Sequence, residues 1–358
     1  MKIGIDCRLS GIAHAGIGRY IENLISRLPI MAPAINWVFF YSSPDQILPS
    51  LKNQSHVKWV HVPIKHYSLQ EQLRLPAIFN HQNLDLLHVP HFNIPVMYPG
   101  KIAVTIHDLL WHEQRGSHVT TLQPWLYWLK YLAYKFVASQ AVKKASQIIV
   151  PTQTIKKTLT NYYPHAASKT NVTYEGVGSE LLSYRNIKVH KNQKSLLYVG
   201  SLYPHKNLNL ILKALQELPT WRLTIVGSRN VFQEQVNQQA KKMKVIKQVK
   251  FAGYLEDQVL ARHIKASTAL VQPSFSEGFG LTGIEAMALG TPVLASDIPV
   301  FKEIYQDAAV YFDPQSTTSF IKALTKKLPS QKKMRSVVKQ YSWDEMARQT
   351  LIIYPHET

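Results

Sequence analysis

The sequence predicts an α/β protein built from two doubly wound domains of comparable size. Three observations carry that prediction. Short β-rich runs alternate with helical patterns almost from end to end, the pattern of parallel sheets flanked by helices. Several of those runs are nearly continuously apolar, as strands covered on both faces are. A chain of 358 residues also exceeds what one ordinary core fills.

In the first half the expected strands are Lys2–Asp6, Trp37–Tyr41, Val57–Val62, Leu84–Val89, Ile102–His107 and Ile148–Val150. After the first comes GIAHAGIGRYIENL, with Gly16 and Gly18 expected just before a helix. It is either a turn that lets backbone approach a ligand or simply a tight strand-to-helix turn. A long helix is expected over Leu122–Ser146, where Trp125, Tyr127, Trp128, Tyr131, Tyr134 and Phe136 alternate with lysines. That composition suits an interfacial helix on an anionic membrane, or a core helix whose lysine stems cover apolar surface.

The polar, basic stretch LLSYRNIKVHKNQKS reads as the join. The first domain is expected over residues 1–177 and the second over 195–341. In the second half the expected strands are Ser195–Val199, Arg222–Val226, Val249–Ala252, Ala269–Gln272, Val293–Ser296 and Val310–Phe312. Ser342 with Glu345 three residues on forms a capping-box signal opening a last helix over 342–358.

Composition narrows the function. Apolar residues make up 46% and charged residues 18%, so the chain folds rather than staying disordered. No run reaches membrane-span length and Met1 leads straight into a strand, which predicts a cytoplasmic protein. One cysteine, Cys7, builds neither an intrachain disulfide nor a thiolate metal site. Lys plus Arg number 41 against 22 Asp plus Glu, a formal charge of +19, which favours anionic partners: nucleotides, anionic lipid or nucleic acid.

Ligands of open α/β domains bind beyond the carboxyl ends of strands. Two stretches of the second half fall there. In VGSLYPHKNLNLILKAL, His205 and Lys206 stand just before an amphipathic helix, where a lysine meets a diphosphate or only solvent. In PSFSEGFGLTGIEAMALGTPVLAS, a loop with Glu277, Gly278 and Gly280 enters a helix near Leu281. Amides of Gly280 to Thr282 suit phosphate oxygens. Glu277 and Glu285 would repel phosphate but accept paired hydrogen bonds from a diol. The ligand this describes is a diphosphate with a polyol at each end, a nucleotide sugar, with ribose toward Glu285 and hexose toward Glu277.

The Glu-x7-Glu stretch, with EGFGLT, IEAMA and GTPV, resembles the donor-binding motif of family 4 of the retaining glycosyltransferases. GIGRYIENL is similar to that family's N-terminal glycine loop, VTIHDL to its active-site histidine strand, YVGSLYPHKN to its diphosphate turn and YSWDEMA to its final helix. The resemblance implies the GT-B fold: two Rossmann-like domains facing across a cleft, the last helix crossing back to the first domain. It implies that Lys206 neutralises the donor diphosphate, Glu285 binds ribose, and Glu277 with the backbone of Gly278, Phe279 and Gly280 holds the sugar. Leu281 and Thr282 would supply phosphate-binding amides. His107 would reach the transferred sugar, and Gly16 and Gly18 would border acceptor and diphosphate. Base recognition would fall near Gly253, Tyr254 and Leu255. Many members carry arginine where Ser201 stands and another basic residue where His205 stands. Charge on the leaving group would then rest on Lys206, helped by His205 or Arg262.

The resemblance further implies retention of anomeric configuration. No Asp-x-Asp triplet occurs, which fits transfer without a metal, and no cofactor is expected. The YPHKN turn is similar to that of mannosyltransferases and points to GDP-mannose as donor, with a glycan or lipid-diphosphate acceptor. A sugar-nucleotide epimerase of similar fold is the alternative. A nucleic-acid binder would account for the charge but leaves the diol-binding acids without a task.

Overall fold

The computed structural model describes residues 1–11, 14–113, 116, 123–227 and 232–355. Its strands are β1 (Lys2–Asp6), β2 (Asn36–Tyr41), β3 (Val57–His61), β4 (Leu86–Val89), β5 (Ile102–Thr105), β6 (Gln147–Val150), β7 (Thr170–Val172), β8 (Ser195–Val199), β9 (Arg222–Val226), β10 (Val249–Gly253), β11 (Ala269–Gln272), β12 (Val293–Ser296) and β13 (Val310–Phe312). They form two sheets, one ordered β3-β2-β1-β4-β5-β6-β7 and one ordered β10-β9-β8-β11-β12-β13. Every pairing is parallel. The chain divides into a unit of Met1–Glu175 with Trp343–Thr358 and a unit of Gly176–Ser342.

Apolar runs explain the strands. All residues of β4, β5, β11 and β12 are buried, as expected for strands with helices on both faces. The helix Leu208–Glu217 closes one face of the second sheet by burying Leu208, Leu210, Ile211, Leu212, Ala214 and Leu215, each large side chain contributing about 1.5–3 kcal/mol. Strand order reverses between β1 and β4 in the first sheet and between β8 and β11 in the second. Loops leaving those neighbours diverge, so each unit has its crevice there.

The last helix, Trp343–Ile353, belongs to the first unit. Buried Trp343 meets Tyr20 edge-on with ring centroids 6.5 Å apart, and Arg27 Nε lies 2.6 Å from Asp344 Oδ1. Beyond the helix, Tyr354 Oη is 2.7 Å from His88 Nδ1. His88 Nε2 is 2.8 Å from Thr105 Oγ1, which is 3.1 Å from Tyr20 Oη. Burial, then the nearby His107, pushes His88 down to about 3. A neutral ring with one donor and one acceptor nitrogen is what a chain of hydroxyls needs.

Several expectations shift. β5 ends at Thr105 rather than His107. Residues 84–85 lie outside β4. β7 was not expected because two of its three residues, Thr170 and Asn171, are polar, so no apolar run marks it. The stretch read as a join instead folds onto the second unit: a helix spans Ser179–Ser183, Asn192 N donates to Ala266 O at 2.8 Å, and the Lys265 ammonium meets the Arg185 carbonyl. The long helix runs Pro124–Lys144, and Leu122 lies outside the described residues.

Candidate active site

The second unit's crevice is built by the loops after β8 and β11. Past β8 the chain turns at Gly200 into a short 3-10 turn, Pro204–Lys206. Asn207 then takes a left-handed conformation, φ 54°, tolerated by asparagine at modest cost. Its amide donates to Pro273 O at 3.0 Å and Pro314 O at 2.8 Å. Phe275 N donates to His205 O at 2.8 Å. The turn is thereby tied to the loop after β11.

That tie sets the central contact. Lys206 Nζ lies 2.7 Å from Glu277 Oε1, the two side chains 18% and 15% exposed. Ser274 Oγ donates to the same oxygen at 2.7 Å. Burial raises the Glu277 pKa, but the Lys206 charge, its hydrogen bond and the Ser274 hydroxyl together outweigh burial and hold the carboxyl below its ordinary value. Burial and the Lys206 charge push His205 down to about 4, so at neutral pH that ring is uncharged. The full positive charge at this turn is therefore carried by Lys206.

The helix Leu281–Ala288 starts beside it. Gly280 is its N-cap with φ +98°, and a Cβ there would fall 2.2 Å from Tyr305 Oη. Glycine is thus required twice over, by conformation and by space. Tyr305 Oη sits 2.6 Å from Gly280 O and against Gln272 Oε1, fixing the loop's exit. Gln272 Nε2 donates to Thr282 Oγ1 at 2.9 Å, which leaves the Thr282 hydroxyl proton directed elsewhere. The first amides of any helix have no partner within it, and here Leu281 and Thr282 hold those positions. Glu285, one turn further in, is 2% exposed. Phe279 is 4% exposed and meets Tyr341 edge-on at 5.5 Å, so its side chain serves the core. Gly278 lies between it and Glu277.

Other predicted residues sit apart. Ser201 follows Gly200, and its carbonyl accepts from Tyr198 Oη at 2.5 Å. Tyr254 and Leu255 follow β10 at Gly253, whose φ of +68° turns the chain, with Tyr254 half exposed. Arg262 is exposed on the helix Asp257–Ala266. The charges acting on His205 are those of Lys206 and Glu277, not that of Arg262.

In the first unit Gly16 and Gly18 do not precede the helix but lie inside its first turns, Ala15–Ile25. The tight turn is made earlier, by Gly11 at φ +97°. A Cβ on Gly18 would fall 2.0 Å from Gly11 O, so Gly18 lets the helix sit against that turn. Gly16 is exposed with open space around it.

His107 lies beyond the end of β5. Its Nε2 is 3.2 Å from Pro90 O and its Nδ1 3.4 Å from Glu175 Oε1, with Tyr20 edge-on at 4.7 Å. The neighbouring Asp108 accepts from Leu110 N at 3.1 Å. Glu175 gave no signal in sequence because it is far along the chain, beyond β7. At the end of β1, a buried Arg8 joins two acids: its Nη2 is 2.6 Å from Asp6 Oδ2 and 2.8 Å from Glu71 Oε1. These three residues also went unread, since nothing in DCRLS marks an arginine for burial.

The chain is 26% identical over 291 residues to the O-antigen chain mannosyltransferase RfbU of Salmonella typhimurium, covering 79% of this chain and 77% of that protein. It is 29% identical over 170 residues to the O-antigen chain mannosyltransferase B of Escherichia coli, covering 44% and 45%. Among solved structures, sucrose-phosphate synthase from Thermosynechococcus elongatus superposes with a TM-score of 0.77 at 18% identity, covering 99% and 98%. WaaG, a glycosyltransferase involved in lipopolysaccharide biosynthesis, superposes at 0.68 and 18%, covering 98% and 94%. Those likenesses establish the GT-B fold. The model of Glycosyltransferase Family 4 matches residues 15–181 and that of Glycosyl transferases group 1 matches residues 183–343, so the chain belongs to the family 4 glycosyltransferases and is an enzyme of that class.

Proposed function

We propose that this enzyme moves a hexose from a nucleoside-diphosphate sugar to a glycan or lipid-diphosphate acceptor, with retention of configuration and without a metal, in polysaccharide or glycolipid assembly at the cytoplasmic face of a membrane. Mannose is the first candidate, on the strength of the two O-antigen relatives. The second unit takes the donor and the first takes the acceptor. The observation that carries this reading is the Lys206–Glu277 pair at the β8/β11 crevice, beside the start of the helix Leu281–Ala288.

Breaking the anomeric bond leaves charge on the departing diphosphate, and a preset cation with aligned amides lowers that barrier most. Lys206 carries the cation. Its ammonium has three donors, of which Glu277 takes one, so the head is aimed without being consumed. The amides of Leu281 and Thr282 and the Thr282 hydroxyl would complete the cradle. Glu285 accepts from ribose hydroxyls, and Glu277 keeps lone pairs for the hexose. Because the cation comes from the chain, turnover is expected to persist unchanged after exhaustive chelation. Loss of activity in EDTA, restored by a divalent ion, would exclude metal-free transfer.

His107 in this reading serves a hydroxyl of the transferred sugar, with Glu175 positioning the ring. A single hydrogen bond is worth about 0.5–1.5 kcal/mol, so His107→Ala is expected to lower kcat/KM about 3- to 10-fold. Unchanged turnover removes His107 from the site. The proposal as a whole is tested by a panel of nucleotide sugars, scored for donor hydrolysis and for protection against melting, with NMR of the product anomer. An inverted product rejects retention, and isomerised donor formed without acceptor makes the enzyme an epimerase.

A further inference from the structure

The helix Pro124–Lys144 is apolar on two sides. One side is internal: Tyr127, Tyr131, Tyr134 and Ala138 are buried together with Phe92 against them, and Tyr134 Oη is 2.6 Å from His112 Nδ1. The other side is bare. Trp125 is 70% exposed, Trp128 49%, Leu129 60%, Leu132 64% and Phe136 58%. At 3.6 residues per turn these five positions fall within an arc of about 100° and run about 17 Å along the axis. Such a contiguous apolar stripe on a soluble surface marks an interaction site.

We infer that this stripe docks the enzyme on an anionic lipid surface, the helix lying in the plane of the interface. Three observations select lipid over protein. The exposed residues are the tryptophan, leucine and phenylalanine types that enter the headgroup boundary. The helix holds four lysines, Lys130, Lys135, Lys143 and Lys144, and no acid; by helical periodicity the exposed Lys143 continues the line of the stripe and Lys135 borders it, and each lysine near an anionic leaflet adds to the attraction. A formal charge of +19 opposes association of two copies through the same face. No helix among the described residues is long and apolar enough to cross a membrane, and with its tyrosine side committed to the core this one lies on the surface instead. The inference deepens the reading of a lipid-linked acceptor, yet its measurement needs neither donor nor acceptor.

The test is binding of the full chain to vesicles of phosphatidylglycerol and phosphatidylcholine, followed by sedimentation and tryptophan emission, beside Leu132→Glu and the pair Trp125→Ser with Trp128→Ser. The wild-type chain is expected to bind with a blue shift. Burial of one large apolar side chain accounts for at least about tenfold in affinity, so Leu132→Glu should weaken binding by that factor. Melting temperature and transfer to a water-soluble acceptor should stay the same in both variants. Equal binding by Leu132→Glu overturns the inference, as does wild-type chain that ignores the vesicles. A dimer in solution that Leu132→Glu dissociates, without vesicle binding, assigns the face to a second copy and also overturns it. Vesicle binding by a chain that fails to transfer sugar would sink the functional proposal and leave this one standing.

Discussion

Lys206→Ala is expected to lower kcat by about 10²–10³, the range seen when a preset donor is removed from a site of developing charge. KM should rise less than kcat falls, because the ammonium opposes charge that grows as the anomeric bond opens. The expectation is this large because the neighbouring cations give little cover. His205 is held neutral at physiological pH, burial and Lys206 pushing it down to about 4, and Ser201 brings no charge. Lys206→Arg is expected to recover only part of the rate, since a planar fork replaces the compact head that Glu277 holds. Wild-type kcat in Lys206→Ala, with only the melting temperature lowered, would reduce the pair to a structural ion bridge.

Glu277 is read here as the residue that aims Lys206. One of its oxygens already meets both Lys206 and Ser274, which suits a positioning carboxylate better than a nucleophile that must be free to form a bond. Glu277→Gln keeps a hydrogen-bond acceptor for the ammonium and is expected to lose less rate than Lys206→Ala. A trapped glycosyl adduct on Glu277 would reverse that assignment.

Residues whose roles are local were legible in the sequence. The Gly280 turn, the helix start at Leu281 and the strand ends before Lys206 and Glu277 each follow from neighbours in the chain, because loop chemistry and helix entry are short-range. Strand identity was legible for the same reason: continuous apolar runs have one common explanation. What stayed hidden depends on contacts between distant segments. Nothing around Glu175 announces a histidine partner, since β6 and β7 and their helices intervene before the sheet brings it to His107. Gly16 and Gly18 misled because glycine pairs suggest a loop, whereas the buried contact of Gly18 with Gly11 O lets the helix tolerate both. The join was misplaced because a polar, basic segment looks free until a partner helix offers its carbonyls, as Ala266 does to Asn192.

The largest stability effect is expected at Arg8, which the sequence did not single out. Its side chain is 1% exposed, as is that of Glu71, and that of Asp6 is 6%. Besides the two carboxylates, Arg8 Nη1 donates to Ile64 O at 3.2 Å. Removing one member of such a buried set leaves charges with no solvent and no partner, so Arg8→Met is expected to cost about 3–5 kcal/mol. At roughly 2–4 °C per kcal/mol, the first unit's melting temperature should fall on the order of 10 °C. Acidification separates this from a simple loss of side-chain volume. Burial raises the Asp6 pKa, but the charge and hydrogen bonds of Arg8, with His66 adding to them, outweigh burial and hold it below its ordinary 3.8. A carboxyl depressed on folding contributes stability that is present above its unfolded value and is lost as pH falls through the folded one. In Arg8→Met burial, the largest effect, is opposed only by the smaller influence of His66, so the folded Asp6 pKa should lie above 3.8 and protonation should relieve the strain of an unpaired charge. The stability gap between wild type and variant, measured by denaturant melts, should therefore narrow from neutral pH toward pH 4, whereas a cavity would leave it constant. A constant gap would show that Arg8 matters by bulk alone and that the carboxylates at the end of β1 find other partners when it is gone.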